Sequence, residues 1–422
     1  MKPILRGSAL VLSLAACFGF GYYYKDLSRG SAPGGRVINT LLGVQTTSPS
    51  LSAEAAFREN YARILNNFPR KLDAKELKYS GMEGLVGALG DPHTNFFPPE
   101  TAKMFREETE AHFFGVGASL QEDPLGVRLM KVFEDGPAYR AGVRAGDVVT
   151  AVDGKSIAGK ATDFVVTKIK GPEGTPVHLT IVRAKETKPL EITVRRARIV
   201  TPTVNGDYFP ESGVGYLAIS MFSEPTAMQF DTELEKLERN KLKGLVIDLR
   251  GNPGGLLTTA SELVGRWVDN EVVVRMVFRK EGDAAPVVEE QRTTSGTVHD
   301  WNYPVVVLIN EESASASEIM SGCLRDYGKA KLIGEHSYGK ASVQNVFPLR
   351  DGASAKVTIA KYLLPKGADI GRKLDSEGTY VSGGLKPDIE VKPDYDSADG
   401  FVIGDPKKDN QLARAIQEVL KG

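Results

Sequence analysis

The chain has 422 residues, too many for one ordinary hydrophobic core, and its 41% hydrophobic and 25% charged content excludes broad disorder. Lys plus Arg number 53 against 54 Asp plus Glu, a net charge of −1, so the balance does not favour a nucleic-acid partner. The five histidines are scattered and no CxxC or His-Glu-x-x-His occurs, so neither a metal site nor another cofactor is expected.

Lys2 and Arg6 precede an apolar run from Ala9 to Tyr24. The run is shorter than the roughly 20 residues of a spanning helix, and the pattern is that of an export signal. Leu14-Ala15-Ala16-Cys17 resembles the bacterial lipobox, which makes Cys17 a lipidation candidate. Continued apolar character through Phe18, Phe20 and Tyr22-Tyr23-Tyr24 resembles a retained anchor instead. Lipoprotein, uncleaved anchor and cleaved signal all stay open. Each places the rest of the chain in the periplasm or cell envelope, and membrane tethering is the expectation. Cys17 in this run is no plausible disulfide partner for Cys323. Residues 25–51, rich in Gly, Ser, Pro and Thr, read as a tether.

From Ser52, a plausible N-cap, Phe57, Tyr61, Ile64, Leu65 and Phe68 recur at helical steps, and a second apolar stretch runs from Met82 to Leu89. Gly90-Asp91-Pro92 ends it, and His93 after the turn reads as a structural loop residue. Residues 52–111 are thus an N-terminal helical region. Residues 112–198 form a mostly β module, with short runs at Val127–Met130, Val148–Val152, Val177–Val182 and Leu190–Val194 and one amphipathic stretch, Ala161–Ile169. Strands and helices then alternate over residues 199–395, which is an α/β core with a mostly buried sheet. Its strands include Gly215–Ile219, Leu245–Leu249, Val305–Ile309 and Ala330–Ile333; Thr226–Leu237 and Thr258–Val268 have helical spacing. Residues 396–422 are a C-terminal tail with a terminal helix. The fold class is multidomain α/β, a core with a mixed sheet and flanking helices.

Within the β module, Phe113-Phe114-Gly115-Val116-Gly117 and Gly136-Pro137-Ala138-Tyr139-Arg140-Ala141-Gly142-Val143 resemble a PDZ domain. The resemblance implies that Phe114, Gly115, Val116 and Gly117 form a loop whose N–H groups take a peptide's C-terminal carboxylate, while the peptide adds as a strand.

The most chemically loaded stretch is Ser313-Ala314-Ser315-Ala316-Ser317-Glu318, between a buried strand and a helix. A nucleophile there sits at the sheet edge, and its oxyanion faces unpaired N–H groups and the positive helix end. Ser313 and Ser317 read as ordinary N-caps. A serine needs a base, and Lys340 in Tyr338-Gly339-Lys340-Ala341-Ser342-Val343-Gln344 can serve if burial strips its proton. Gln344 is placed to orient the amine. Leu249-Arg250-Gly251-Asn252-Pro253-Gly254-Gly255 is a glycine turn whose Gly254 and Gly255 N–H groups can join Ala316 in holding an oxyanion.

Together with Gly90-Asp91-Pro92-His93 and Gly384-Leu385-Lys386-Pro387-Asp388, these segments resemble the C-terminal processing peptidases, tail-specific serine peptidases with an embedded PDZ domain. The resemblance implies Ser315 as nucleophile, Lys340 as general base, Gln344 as its partner, Gly255 and Ala316 as oxyanion donors, and Glu318 and Asp326 as supporting groups. It also implies an acyl-enzyme route, protein substrates held by their C-terminal tails, and a homo-oligomer or regulatory partner. Lys170 departs from it, since many relatives carry there an arginine linked to PDZ-dependent activation; the charge is kept and bidentate bonding lost. Three rival readings remain to be weighed: a nucleotide loop at Gly334–Lys340, a Ser–His pair using His336 or His299, and an inactive PDZ scaffold.

Overall fold

The computed structural model describes residues 52–421 except 135, 280–284, 294–297 and 398–399. The export and tether readings over residues 1–51, and with them Cys17, lie outside the described residues. Two units divide the chain, Met1–Gly81 and Met82–Gly422. In the first, helix α1 (Ala53–Asn67) starts at Ser52, whose hydroxyl accepts the Ala55 N–H at 3.2 Å, the N-cap the sequence suggested. Helix α2 (Ala74–Gly87) carries the chain into the second unit.

There, β1 (Asn95–Phe97) is followed by helix α3 (Pro99–Thr109), which starts with proline at its first turn, where no N–H is missed. Strand β2 (His112–Gly115) leads into the β module: β3 (Ala118–Asp123), β4 (Gly126–Val132), α4 (Pro137–Arg140), β5 (Val148–Val152), β6 (Lys155–Ser156), α5 (Thr162–Ile169), β7 (Pro176–Val182) and β8 (Leu190–Arg195). Its sheet runs β3-β4-β5-β7-β8 with all pairs antiparallel. Val177, Leu179 and Ile181 of β7 alternate inward, onto a core with Val127, Leu129 and Val149. Strand β9 (Ala197–Val200) pairs antiparallel with β2, so the module leaves beside the strand by which it entered.

The central sheet runs β10-β11-β12-β15-β16-β21. In chain order its members and neighbours are β10 (Val204–Phe209), β11 (Val214–Ile219), α6 (Thr226–Glu238), β12 (Gly244–Asp248), α7 (Leu257–Val264), β13 (Val272–Phe278), β14 (Val288–Arg292), β15 (Val305–Ile309), α8 (Ala316–Asp326) and β16 (Lys331–Gly334). β17 (Ser342–Pro348), β18 (Ser354–Leu363), β19 (Lys373–Leu374), β20 (Tyr380–Ser382), β21 (Ile389–Glu390) and α9 (Asn410–Val419) complete it. Only β10 is antiparallel to its neighbour; β11, β12, β15, β16 and β21 pair in parallel. Every residue of β12 and β15 is buried, as helices on both faces of a parallel sheet require. Strands β1, β18, β13 and β14 form a second, antiparallel sheet, with β17 also on β18.

One buried cation joins the C-terminal helix to the end of β12. The Arg250 side chain is 1% exposed and meets Asp248 and Asp409, each at 2.6 Å. It also donates to Gln411 Oε1 at 2.7 Å, and Asp409 caps α9 by accepting the Leu412 N–H at 3.0 Å. Burial opposes the charge on Asp409, but hydrogen bonds and charge from Arg250 win and hold its carboxyl below the usual range. A carboxylate lowered in the folded state stabilises fully at neutral pH and loses that contribution as pH falls through the lowered value. Replacing Asp409 by Ala leaves the buried guanidinium half paired, and urea unfolding at neutral pH should show a loss of about 3–5 kcal/mol.

Candidate active site

The turn after β15 is stitched to the glycine turn after β12. Ser313 Oγ donates to Leu249 O at 2.8 Å, Ser317 Oγ donates to Asn252 O at 2.9 Å, and the Ala314 N–H donates to Asn252 O at 3.1 Å. Ser313 and Ser317, read from sequence as helix caps, are instead cross-loop ties. The cap position of α8 belongs to Ser315, which has φ +53°, a region that costs a non-glycine residue strain. Gly254 packs directly on this residue. A Cβ there would lie 2.6 Å from Ala314 O and 2.9 Å from Ala316 N, and one at Gly255 would lie 2.0 Å from Phe222 O. Glycine at both positions is a steric requirement.

The two N–H groups of the glycine turn differ. The Gly254 N–H is spent on Asn252 Oδ1 at 2.9 Å, so Gly254 shapes the turn and is not the oxyanion donor it was expected to be. Among the described residues the N–H groups of Gly255 and Ala316 meet no acceptor.

Glu318 is fully buried, and its carboxylate takes four hydrogen bonds. Oε2 accepts the N–H of Ser315 at 2.8 Å and that of Lys340 at 2.9 Å; Oε1 accepts Ser337 Oγ at 2.5 Å and the Gly339 N–H at 2.6 Å. Burial pushes its pKa up despite these donors. One side chain therefore holds the serine turn and the lysine loop together. Asp326, the other expected supporting group, lies at the far end of α8 and accepts the Lys366 N–H at 3.1 Å, so its role is to fix that loop.

Ser315 and Lys340 line one cleft of about 380 Å³ with Gly254, Gly255, Gln344 and Lys356. Apolar walls come from Met221, Phe222, Leu257, Ile319 and Val343. No hydrogen bond joins Lys340 Nζ to Ser315 Oγ, and among the described residues no carboxylate pairs with the amine. Burial, and then the charge of Lys356, push the Lys340 pKa down; Glu318 and Asp91 pull the other way. Gln344 reaches the cleft, yet its amide nitrogen donates to Ser342 Oγ at 2.8 Å and Thr358 Oγ1 at 3.2 Å rather than meeting the lysine. Among the described residues its Oε1 has no hydrogen-bond partner.

The Asp91–Thr94 turn lies closer to the chemistry than a plain loop reading implies. His93 lines the recess on the other side of Lys340, and Thr94 Oγ1 links Asp91 Oδ2 (2.6 Å) to the Thr358 N–H (3.1 Å). Lys356 and Thr358 were missed in the sequence, although their spacing by two on an alternating run puts them on one face of a strand.

Two rivals fail on geometry. A phosphate loop needs its N–H groups unoccupied, but those of Glu335, Ser337, Tyr338, Gly339 and Lys340 all donate to protein acceptors. Strand β17 follows, where such a loop would open a helix. His299 is held by Glu238 at 2.6 Å in a separate cluster, and His336 is exposed outside the cleft.

In the β module, β3 is the terminal strand of its sheet, with α5 beside it. Phe114 and Gly115 belong to β2, while Val116 and Gly117 form the turn into β3. The carbonyls of Val116 and Gly117 accept the N–H groups of Ala138 (2.8 Å) and Phe133 (2.9 Å). Among the described residues their own N–H groups have no acceptor.

Residues 213–391 match the description of peptidase family S41, and residues 130–183 that of a PDZ domain. The chain is 34% identical over 368 residues to the carboxy-terminal processing protease CtpB of Bacillus subtilis (strain 168), spanning 86% of this chain and 73% of that one. It is a member of peptidase family S41. A probable CtpA-like serine protease of Staphylococcus aureus (strain N315) is also 34% identical, over 83% of this chain and 68% of that one. Among solved structures, the photosystem II D1 C-terminal processing protease matches 81% of this chain and 94% of its own, at 23% identity and a TM-score of 0.43. This S41 chain is a serine-type C-terminal processing protease with a PDZ domain.

The four-bonded carboxylate makes a sharp prediction for this S41 site. In Glu318→Gln the amide NH2 faces at least one backbone N–H whichever way it turns. Denaturant unfolding should show a loss of about 2–3 kcal/mol, accompanied by loss of proteolysis.

Proposed function

We propose that the chain is an endopeptidase with a Ser315–Lys340 dyad, which takes protein substrates by their C-terminal tails and cleaves them through an acyl-enzyme. The observation that carries this reading is the Glu318 carboxylate, bonded at once to the backbone N–H groups of Ser315 and Lys340 inside a shared cleft. Burial and the charge of Lys356 lower the Lys340 pKa, which makes its neutral amine easier to reach. In the first step that amine turns onto Ser315, takes its proton as Oγ bonds to the scissile carbonyl carbon, and Gln344 Oε1 orients the resulting ammonium. The carbonyl oxygen becomes an oxyanion facing the N–H groups of Ala316 and Gly255 at the positive end of α8. Collapse of the intermediate breaks the C–N bond, and Lys340 returns its proton to the leaving amine. A water molecule then loses a proton to Lys340 as it attacks the ester carbonyl, and Lys340 passes that proton to Ser315 Oγ as the Oγ–C bond breaks, releasing the new C-terminus and restoring Ser315.

Substrate delivery falls to the PDZ domain. A tail adding to β3 as an extra strand brings its carboxylate to the N–H groups of Val116 and Gly117. The carboxy-terminal processing named in the B. subtilis relative is consistent with this route.

Ser315→Ala and Lys340→Ala should each lower cleavage of an unstructured protein with an apolar C-terminus by at least about a thousandfold. Full binding without cleavage in the wild type would favour the inactive scaffold. The wild-type kcat/KM should rise with pH as Lys340 loses its proton; a rate indifferent to pH from about 6 to 9 would refute a lysine base.

We further propose an exported, envelope-tethered protein, on the basis of the charged and apolar N-terminus. Among the described residues no helix is long and apolar enough to cross a membrane. Mass spectrometry of the mature N-terminus discriminates the three routes: a lipidated Cys17 marks the lipoprotein, an intact Met1 the anchor, and an unmodified downstream residue the cleaved signal.

A further inference from the structure

Lys356 is a second cation in the cleft that holds Ser315 and Lys340. It sits on β18, opposite Val346 of β17 and Asn95 of β1. Thr358, two residues along the same face, stands opposite Gln344 and accepts its amide N–H at 3.2 Å. The register therefore puts Lys356 in the row that orients the lysine's expected partner. Its ammonium lies 5.6 Å from the Phe97 ring centre and 5.5 Å from that of Phe105, rings themselves stacked at 5.0 Å. Such a bed steadies a cation without cancelling its charge. Among the described residues Lys356 has no carboxylate at ion-pair distance; Asp91 and Glu108 act on it only from further away. Half-buried lysines are costly, and one kept unpaired in a reaction cleft calls for a use.

We infer that Lys356 is a tuning residue for the base, a cation fixed beside Lys340 so that the neighbouring ammonium gives up its proton and a neutral amine is available to Ser315. This inference rests on the dyad reading above. Burial alone leaves Lys340 exposed to the opposing pull of the Glu318 and Asp91 carboxylates; the charge of Lys356 works against them, and His93 in the adjoining recess feels both lysines. The physics is that of two like charges sharing a site of low polarity, where one is driven neutral. Burial lowers the pKa of Lys356 as well, against the pull of Asp91 and Glu108, but its ammonium has the aromatic bed, and among the described residues Lys340 has none, so Lys340 is the group driven neutral.

The test is kcat/KM against pH, from about 6 to 10, for the wild type, Lys356→Met and Lys356→Arg on one unstructured protein substrate, with Lys340→Ala as the control on the dyad. Lys356→Met should move the acid limb to higher pH by about one unit, so that activity on that limb falls about tenfold and the deficit shrinks as pH rises. Lys356→Arg should hold the limb where the wild type has it. A limb left in place in Lys356→Met, with KM raised equally at every pH, would make Lys356 a substrate contact and overturn the inference; so would an equal fall in kcat across the range. To guard against a folding defect, the pH dependence of amine labelling at Lys340 is read by mass spectrometry in Ser315→Ala with and without Lys356→Gln. An unshifted labelling midpoint again overturns it. Should Lys340→Ala retain activity, the dyad reading itself fails, a result distinct from an unshifted limb in a Lys340-dependent enzyme.

Discussion

The site depends on one buried carboxylate. Glu318 stands one turn into α8, where its side chain reaches back to the N–H of Ser315, and its other bonds fasten Ser337, Gly339 and Lys340. Those residues come from the turns after β15 and β16, which are neighbours in the parallel sheet. Sheet adjacency brings the two turns close, and the carboxylate sets their relative position. A buried charge is stabilising only when hydrogen-bonded on every side, and Glu318 meets that demand with three backbone N–H groups and a hydroxyl. The cost of desolvating it is thereby converted into rigidity between the Ser315 turn and the Lys340 loop.

Rigidity also has to be supplied from below, because Ser315 is strained. Its φ of +53° persists only where surroundings over-determine it. They do so through Ser313 and Ser317, which bind the serine turn to the glycine turn, and through Gly254, whose missing side chain leaves room for Ser315 itself. The glycine turn in its turn begins at Arg250, fixed by Asp248 and by Asp409 at the cap of α9. A helix at the end of the chain thus stands under the turn that presents the Gly255 N–H.

What the sequence revealed followed local rules. Val305–Ile309, five apolar β-branched or aliphatic residues in a row, read as a buried strand and is one. Thr226–Leu237 was expected as a helix, and α6 runs to Glu238; the helical spacing of Thr258–Val268 was real but α7 ends at Val264. Motif order put Ser315, Lys340, Gly255 and Gln344 forward as one group, and all four line one cleft. What stayed hidden was non-local. The β1–β18 pairing joins Asn95 to Lys356, and Arg250 meets Asp409 across 159 positions. Neither can be seen in a window of a dozen residues. The misassigned groups, Gly254, Ser313 and Ser317, failed for a different reason: residue type suggested a donor or a cap, but which acceptor lies opposite is decided by a neighbouring turn.

Helix α3 is where the PDZ domain and the cleft share material. Phe105, Glu108 and Thr109 line the cleft, while Glu107 pairs with Lys170 at the C-terminal cap of α5 at 2.6 Å. Lysine gives that contact a single charged bond and a cation–π approach of 4.4 Å to Phe113, where an arginine would give a fork. Both partners are partly exposed, at 30% and 19%, so the pair contributes about 1 kcal/mol or less. The Phe97–Phe105 stack, the buried Ala102 and the Lys356 ammonium over both rings hold the other side of α3 with at least comparable strength. The position of α3 is thus shared between the ring stack at the cleft and the Lys170 contact to the PDZ domain. The wall of the cleft is therefore held in part by Lys356, a cation that lines the same cleft.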